Sequence, residues 1–529
     1  MAQEEVTLER SLDNAANVLR SKMDANEYKN YTLGTIFYKY LSDSMLYYVA
    51  ELLEEKNISL EEAQKLYEEN QDDQYLIEEL DIKFNYVIEA KNTYTNILKS
   101  INNHTFQVSQ LGDAFNSIES QGKEFEGLFD DYDLYSKRLG NTAQKQSDTI
   151  SEVLSAIGKL EIVKTPEDTL GNAYEYLIKQ FASESGKKAG EFYTPQKVSR
   201  LLARLTLVDK DYTDGMTVYD PTMGSGSLLL NFRKYVEHPK RITYFGQEIN
   251  TSTYNLARMN MILHHVDVVN QKLRNNDTLD EDWPVEEITN FDAVVMNPPY
   301  SHKWSANAGF KDDPRFSAYG VLPPKSKADY AFLLHGFYHL KNTGTMAIVL
   351  PHGVLFRGAK EGKIRQKLLE DGSIDAVIGL PANLFYSTSI PTTIVVLKKD
   401  KQDRSVMFID ASKEFEKGKN QNQLRETDIT KILDTYEKRQ DVDKYAHLAS
   451  FDEIKENDFN LNIPRYVDTF EPEPEIDLRQ VSKDLQDVNT QIKDNEQELV
   501  GMLKQLTSKD DEVMEGINDI IKNLEGEIK

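Results

Sequence analysis

The sequence contains no cysteine, which excludes disulfide bonds and thiolate metal ligands. It also lacks any apolar run of about 18 residues, the length that a membrane-spanning helix requires. Its first ten residues, MAQEEVTLER, are acidic and lack the basic start and apolar stretch of a secretory signal. We therefore expect a soluble protein of the cytoplasm that has no membrane partner.

Positive charge is scarce as well. The chain has 62 Lys and Arg against 88 Asp and Glu, and its formal net charge is −26. This is the wrong sign for a protein that binds a polyanion without a partner, because nucleic-acid affinity depends on neutralising phosphates. If the substrate is a nucleic acid, a partner should supply much of the binding affinity.

The histidines do not form a pattern that is typical of a metal site. His264 and His265 are adjacent on an apolar helical segment, and His335, His339 and His352 lack a carboxylate at a known ligand spacing. We expect packing or surface roles for them, and no metal.

The 529 residues exceed the size at which a single hydrophobic core stops growing, so we expect three units. Residues 1–160 have apolar residues at helical spacing and few Gly or Pro, which predicts an all-helical domain. Residues 161–470 alternate strand and helix patterns. Residues 471–529 begin with EPEPE, which is typical of an extended linker, and form a separate tail.

Short β-branched and aromatic runs alternate with helical patterns in the middle unit, which predicts a doubly wound, mostly parallel α/β sheet. The runs are MTVYD (216–220), ITYFGQEI (242–249), FDAVVM (291–296), TMAIVLP (345–351), IDAVIGLP (374–381) and TTIVVLKK (392–399).

A glycine-rich turn, DPTMGSGSLL, follows the first of these strands. Gly224 and Gly226 let the backbone approach a ligand closely, but the spacing matches neither a dinucleotide fingerprint nor a P-loop, so a phosphate site is not expected. Glu248 ends the next strand, where its carboxylate can accept two hydrogen bonds from ribose hydroxyls. Taken alone, these features fit a nucleoside ligand and a structural turn beside a surface Glu equally well.

A second motif, Asn297-Pro298-Pro299-Tyr300, comes directly after a strand. An exocyclic amine is a poor nucleophile while its lone pair is delocalised into a ring. The carbonyls of Asn297 and Pro298 can each accept one N–H of such an amine, which leaves the lone pair facing a methyl donor, and the prolines pre-organise both acceptors. Tyr300 offers a flat face on which an everted base can stack.

Asp220 to Ser227 and Asn297 to Tyr300 resemble motifs I and IV of the amino-methyltransferases, which adenine-N6 and cytosine-N4 enzymes share. GEFYTPQKVSRLL (190–202) resembles the segment that precedes motif I in type I modification subunits, in the motif order of the γ group. Further likeness to those subunits extends over nearly the whole chain, in LPHGVLFR (350–357), GLPANLF (379–385) and DFNLNIPRYV (458–467).

This resemblance implies a Rossmann-like class I methyltransferase domain and an S-adenosyl-L-methionine-dependent, adenine-N6 DNA methyltransferase of a type I restriction-modification complex. It also implies double-stranded DNA as substrate, a specificity subunit bound by two copies of this chain, and restriction subunits in the full complex. Motif IV has Asn where many adenine enzymes have Asp, so the motif alone leaves the acceptor base open.

The resemblance assigns the catalytic corner to Asn297, Pro298, Pro299 and Tyr300. The donor-binding positions are Glu191, Phe192, Tyr193, Thr194, Pro195, Gln196, Asp220, Gly224, Ser225, Gly226, Ser227, Glu248 and Asp277. Structural alternatives exist for some of them: Phe192 and Tyr193 as core aromatics, Thr194-Pro195 as a plain helix start, and Asp277 as an ordinary turn residue.

Two rival functions remain at this stage. Methylation of RNA or of a protein glutamine uses the same corner, although the N-terminal helices and GEFYTP argue against it. A non-catalytic assembly or DNA-mimic protein would fit the net charge of −26 and the tail, but not the intact motifs.

The tail carries apolar residues at alternating steps of three and four, the pattern of a coiled-coil seam broken only by Asn495. The seam positions are Leu478, Val481, Leu485, Val488, Ile492, Asn495, Leu499, Met502 and Leu506. A helix that packs on the chain's own body is the alternative, but a polar seam residue favours a specific partner helix.

Overall fold

The computed structural model of the chain describes residues 2–20, 22–55, 57–163, 169–185, 193–280, 283, 290–386, 388–469 and 477–527. Two compact units are present, Met1–Asp468 and Thr469–Lys529. Glu191, Phe192 and the EPEPE segment lie outside the described residues. In the part of the chain that is described, no helix combines the length and the apolar character needed to cross a membrane.

The N-terminal region is helical, as the apolar spacing predicts. Its helices are α1 (Ala2–Arg20), α2 (Ala25–Leu52), α3 (Leu60–Asn70), α4 (Gln74–Phe84), α5 (Tyr94–Asn102), α6 (Val108–Glu119) and α7 (Ala143–Gly158). A capping box between Ser59 and Glu62 begins α3, because each side chain satisfies a backbone N–H that the helix leaves open. Phe115 and Phe129 stack 4.0 Å apart in the core of this region.

The rest of the first unit alternates strands and helices. The strands are β1 (Met216–Asp220), β2 (Ile242–Gln247), β3 (Gln271–Arg274), β4 (Phe291–Met296), β5 (Leu340–Pro351), β6 (Ile374–Gly379), β7 (Thr392–Lys398), β8 (Val406–Asp410), β9 (Glu416–Lys417), β10 (Asn422–Gln423) and β11 (Ala446–Ala449). The helices are α8 (Thr169–Ser185), α9 (Gln196–Leu207), α10 (Ser227–Leu230), α11 (Thr251–Leu263), α12 (Asp329–Tyr338), α13 (Ala359–Glu370), α14 (Glu426–Lys438) and α15 (Phe451–Glu456).

Nine strands form one sheet in the order β11-β8-β6-β7-β5-β4-β1-β2-β3. Neighbouring strands are parallel, except that β7 is antiparallel to β5 and β6, and β11 is antiparallel to β8. The fold class is confirmed: an α/β domain with a mostly parallel sheet follows a helical region. Apolar layers cover both faces of the sheet, which explains why β4 and β6 are nearly continuous apolar runs.

The strand order reverses between β1 and β4, which are parallel neighbours with Val218 opposite Ala293. In open α/β sheets, ligands bind at the carboxyl ends of the strands that flank such a reversal. Asp220 ends β1, and Asn297 follows β4. The fold therefore brings the glycine-rich turn and the Asn297–Tyr300 corner to the same edge of the sheet.

Several local features differ from the sequence predictions. The helix after the glycine turn, α10, has only four residues and continues as a 3-10 turn, Asn231–Lys234. Strand β3 was not predicted. The polar segment after Lys401 adds further elements that were not predicted, namely β8, β9, β10, β11, α14 and α15. Helix α8 contributes Leu177 and Phe181 to the apolar core of the helical region.

The second unit contains α16 (Leu478–Leu503) and α17 (Asp511–Glu527). The sequence predicted a single coiled-coil helix, which corresponds to α16, and α17 is an addition to that prediction. Val500 and Ile521 are buried, and Lys504 forms an ion pair with Glu525 at 2.7 Å. The seam residues of α16 remain largely exposed, for example Leu485 at 60%.

Candidate active site

The glycine turn after β1 forms a tight backbone corner. Gly224 and Gly226 have φ angles of 55° and 77°, in the left-handed region that favours glycine. A Cβ atom at Gly226 would lie 3.3 Å from the Cε atom of Met261, so a side chain there would be both strained and crowded. The corner thus keeps its backbone bare, as close approach to a ligand requires.

Glu248 lies beside this corner, immediately after β2. Its Oε2 accepts a hydrogen bond from the Gly224 N–H at 3.2 Å, and its Oε1 accepts one from the Asn250 N–H at 2.8 Å. The side chain is 8% exposed. The predicted pairing of a glycine turn with an acid on the next strand is therefore present as a direct contact.

Asp220 is buried at the end of β1. Its Oδ1 accepts hydrogen bonds from the N–H and the hydroxyl of Thr222, at 2.9 and 3.3 Å. Burial raises the pKa of Asp220 to about 8, with a further increase from the Glu248 carboxylate, while the bonds from Thr222 lower it. Two buried acids, Asp220 and Glu248, thus lie close together in one corner.

The two serines of the turn are buried. Their hydroxyl oxygens lie 3.0 Å apart, and Asn260 of α11 donates to the Ser225 carbonyl at 3.0 Å. The Asn231 amide donates to the Ser227 carbonyl at 2.8 Å and to Oε1 of Gln196 at 3.0 Å. Gln196, the first residue of α9, is thereby connected to the turn.

Asn297 is held by residues from two directions. Its Nδ2 donates to the Thr194 hydroxyl at 3.1 Å, and its Oδ1 accepts a hydrogen bond from the Tyr300 hydroxyl at 2.7 Å. Thr194 and Pro195, the residue that caps α9, belong to the segment that precedes the glycine turn in sequence. The structure therefore brings this segment into contact with the Asn297–Tyr300 corner.

The Tyr300 ring is partly buried and meets Phe385 edge to face, with ring centroids 6.2 Å apart. Burial, and to a lesser extent the Asp329 carboxylate, raises the pKa of Tyr300, so its hydroxyl stays protonated and can donate. The backbone after the corner is anchored, since the Ser301 N–H donates to Oδ1 of Asp329 at 2.7 Å. Pro298 is buried, and Pro299 is partly exposed.

The segment around Phe385 closes a ring of contacts. Tyr386 lies 6.0 Å from Tyr193, measured between ring centroids, while Phe385 contacts Tyr300. Three segments distant in sequence, at Tyr193–Thr194, Asn297–Tyr300 and Phe385–Tyr386, therefore surround one corner. Tyr193 is 4% exposed, so it is also buried like a core aromatic, which was the structural alternative for this residue.

Asp277 occupies a turn between β3 and β4. Its Oδ1 accepts a hydrogen bond from the Leu279 N–H at 2.9 Å, which is the role of an ordinary turn residue. The same loop approaches the glycine corner, because the Thr278 hydroxyl donates to the Pro221 carbonyl at 2.5 Å. Asp277 is thus close to the corner in the fold, although its side chain also has a local structural task.

Asp329 and Tyr386 were not identified as candidate residues from the sequence. Asp329 is fully buried at the start of α12 and also pairs with Arg357. The available signal in the sequence was an aspartate directly before the apolar run YAFLL. Tyr386 follows GLPANLF directly, and its place opposite Tyr193 depends on the fold.

Comparison with known families matches both parts of the first unit. The family model described as N-6 DNA Methylase matches residues 165–475. The family model described as HsdM N-terminal domain matches residues 8–157.

Individual relatives match over nearly the whole chain. The type I restriction enzyme MpnII methylase subunit of Mycoplasma pneumoniae is 36% identical, covering 92% of this chain and 95% of that protein. The type I restriction enzyme MjaVIII methylase subunit of Methanocaldococcus jannaschii is 30% identical, covering 94% and 84%. A crystal structure of a type I restriction-modification system methyltransferase subunit from Streptococcus thermophilus has 58% identity and a TM-score of 0.86, covering 88% of this chain and 100% of that one.

Proposed function

Since the chain belongs to the N-6 DNA methylase family, as a methyltransferase subunit of type I restriction-modification systems, we propose that it methylates N6 of an adenine turned out of duplex DNA. The observation that carries the proposal is the junction at the strand reversal. There, Asn297 contacts Thr194, and the neighbouring strand ends in the glycine corner beside Glu248. A target-binding corner and a donor-binding corner therefore share one edge of the sheet.

The family implies S-adenosyl-L-methionine as methyl donor, and the residues of the corner fit it. The bare backbone at Gly224 and Gly226 allows a nucleoside to approach closely. A carboxylate can accept about four hydrogen bonds, so Glu248 can bind ribose hydroxyls in addition to its two backbone donors. When bound, the donor supplies a methyl group that its sulfonium makes electrophilic.

We assign the orientation of the target amine to Asn297 and Pro298. Asn297 is fixed by Thr194 and Tyr300, and Oδ1 of an amide has two lone pairs, of which the Tyr300 hydroxyl uses one. The second lone pair and the Pro298 carbonyl can accept the two N–H groups of an adenine N6. These acceptors cost no reorganisation when the amine becomes more tetrahedral, which is how pre-organised polar groups lower a barrier.

Tyr300 is proposed to stack on the everted base. Stacking on an aromatic side chain contributes about 1 to 3 kcal/mol per base, which offsets much of the unstacking cost of a few kcal/mol. The ring is held edge to face by Phe385, and its hydroxyl is tied to Asn297. One residue thus sets both the face that receives the base and the acceptor that receives its amine.

We propose that the remaining parts of the chain serve assembly. A net charge of −26 favours an arrangement in which other subunits supply much of the DNA affinity. We assign sequence recognition to a specificity subunit that two copies of this chain bind, with restriction subunits in the full complex. The helices of residues 1–160 are proposed to close over the DNA, and residues 471–529 to bind the partner, in the cytoplasm where the DNA lies.

A labelling experiment tests the function. The chain, its specificity subunit and tritiated S-adenosyl-L-methionine are incubated with genomic DNA, and the labelled nucleoside is identified after digestion. Label in N6-methyladenine supports the proposal. Label in RNA or in protein assigns the same corner to a different acceptor, and no label in any of them favours a purely structural subunit.

A further inference from the structure

Arg315 is an almost completely buried arginine, 2% exposed, in the loop between Tyr300 and α12. Its guanidinium donates to the carbonyls of Thr278 and Leu279, at 3.1 and 3.2 Å, and is paired with Asp313 at 2.7 Å. The loop that follows the Asn297–Tyr300 corner is thereby attached to the loop that carries Asp277. Burying a guanidinium is costly unless its donors are satisfied, so these contacts fix its position.

A second set of buried bonds continues from Arg315 towards the donor corner. Nη1 of Arg315 lies 3.0 Å from Nδ1 of His335, and Nε2 of His335 lies 2.7 Å from the Tyr219 hydroxyl. The Tyr219 hydroxyl donates to Oε1 of Gln247, and Nε2 of Gln247 donates to Oδ1 of Asn276 at 2.8 Å. Five side chains thus form one hydrogen-bonded network, called the relay below: Arg315, His335, Tyr219, Gln247 and Asn276.

Arg315 determines the direction of the two hydrogen bonds that His335 makes. Arginine can only donate, so Nδ1 of His335 must accept. Burial, together with the nearby His339 and Arg315, lowers the pKa of His335 well below its usual range, so the ring is neutral and Nε2 carries the proton. His335 therefore donates to Tyr219, and the Tyr219 hydroxyl in turn donates to Gln247, with the Trp283 carbonyl at 3.1 Å as a second acceptor.

The relay ends beside the proposed donor-binding acids. Tyr219 precedes Asp220, Gln247 precedes Glu248, and Asn276 precedes Asp277. The backbone of each acid is therefore set by a neighbour that belongs to the relay. None of these neighbours needs to touch a ligand to influence where the acids lie.

We propose that Arg315, acting through His335 and Tyr219, is a positioning residue. It couples the loop between Tyr300 and α12 to the glycine corner beside Glu248. The inference rests on the proposed function and adds a role that the motifs do not assign. Because coupling between two binding sites is reciprocal, the donor should strengthen DNA binding by the same factor by which DNA strengthens donor binding. Loss of Arg315 should reduce both.

The test uses the full-length chain and the donor product S-adenosyl-L-homocysteine, whose dissociation constant is measured by titration calorimetry. The variants are Arg315→Met, Tyr219→Phe and the double variant. Arg365→Met is the matched control, because Arg365 is also buried, at 3%, and donates to the carbonyls of Val354, Arg357 and Phe459, away from the donor loop. Thermal unfolding of each variant sets a temperature at which all are folded.

We expect Arg315→Met to weaken binding by about 10- to 100-fold and Tyr219→Phe by about 3- to 10-fold, from the loss of buried charged and neutral hydrogen bonds. The double variant should lose less than the product of the two factors, since both act through one relay. Arg365→Met should remain within about twofold of wild type. A purely structural role would lower the unfolding temperature alike in Arg315→Met and Arg365→Met without separating their affinities.

Equal affinities of wild type and Arg315→Met, a fully multiplicative double variant, or an equal loss in Arg365→Met would each overturn the inference. A wild-type chain that does not bind the donor product overturns the proposed function and this inference with it. A second measurement compares duplex binding by the complex with the specificity subunit, with and without S-adenosyl-L-homocysteine. The enhancement should disappear in Arg315→Met, and an unchanged enhancement contradicts the coupling.

Discussion

The amide of Asn297 donates to the hydroxyl of Thr194 at 3.1 Å, although 103 residues separate them. The segment that begins α9 therefore orients the residue that follows β4. This contact points Nδ2 of Asn297 away from Tyr300 and leaves Oδ1 as the acceptor on the other side.

Removing the Asn297 side chain should abolish most methyl transfer while leaving donor binding nearly intact. We expect Asn297→Ala to reduce the single-turnover rate by about 10² to 10³, the typical effect of deleting one pre-organised polar contact. Asn297→Asp keeps an acceptor towards Tyr300 and should stay within about tenfold of wild type. An Ala variant within about tenfold of wild type would refute the assigned role.

The ring and the hydroxyl of Tyr300 should be separable. Tyr300→Phe loses only the bond to Asn297 and should slow transfer by about 3- to 10-fold. Tyr300→Ala also loses the stacking face, which should cost about 1 to 3 kcal/mol more in the rate measured at low DNA concentration. Equal rates for the Phe and Ala variants would remove the stacking role.

Glu248 should determine donor affinity. Glu248→Gln replaces charge-assisted hydrogen bonds by neutral ones, so the dissociation constant of S-adenosyl-L-homocysteine should rise by about tenfold or more. Glu370→Gln, at the exposed end of α13, makes the same change of charge away from the corner and is the control. Similar affinities for both variants would show that Glu248 does not contact the donor.

Asp220 should contribute less to the free energy of unfolding as the pH rises. Its pKa is raised to about 8 in the folded chain, against about 3.9 when unfolded, so between these values only the folded state holds the proton. Its contribution to the free energy of unfolding is therefore full below pH about 4 and is lost as the pH rises through about 8. Asp220→Asn removes this titration.

Denaturant unfolding of wild type and Asp220→Asn at pH about 5 and about 8 tests this. The variant should gain stability relative to wild type as the pH rises. The quantity to compare is the free energy of unfolding of Asp220→Asn minus that of wild type. If it stays constant or decreases at the higher pH, Asp220 is ionised in the folded chain.

The exposed seam of α16 should be required for assembly and dispensable for donor binding. Leu485 and Val488 are 60% and 50% exposed. Leu485→Glu combined with Val488→Glu should abolish co-purification with the specificity subunit, because a buried unpaired charge in a helix interface is strongly unfavourable. Gln486→Glu combined with Asn489→Glu adds the same charge off the seam and should assemble normally. Assembly of the seam variant would place the interface elsewhere.

The strands that carry the motifs were predicted most accurately from the sequence. The bounds of β1 and β4 agree with MTVYD and FDAVVM, because strands covered on both faces are continuous apolar runs bordered by polar residues. Strand β3 was missed because QKLR lies at the edge of the sheet and all of its residues are only partly buried. The antiparallel direction of β7 was also beyond the sequence, since pairing direction is a long-range property.

The candidate site was predictable as a set of motifs and not as a network. Glycine and proline motifs report local backbone requirements, so Gly226 and Asn297 could be singled out. The partners of Asn297 and the burial of Arg315 depend on segments that meet only in the fold. Arginine is almost never fully buried unless paired, so nothing in PRFSAYG distinguished Arg315 from a surface residue.

The brevity of α10 has an electrostatic consequence. Peptide dipoles add along a helix, so a helix of four residues directs little positive potential at the corner in front of it. Sites that select phosphate rely on that potential. Here, the carboxylate of Glu248 accepts a hydrogen bond from the Gly224 N–H of the corner. We infer that the corner disfavours triphosphates, because a carboxylate and not a long helix N-terminus lies beside it.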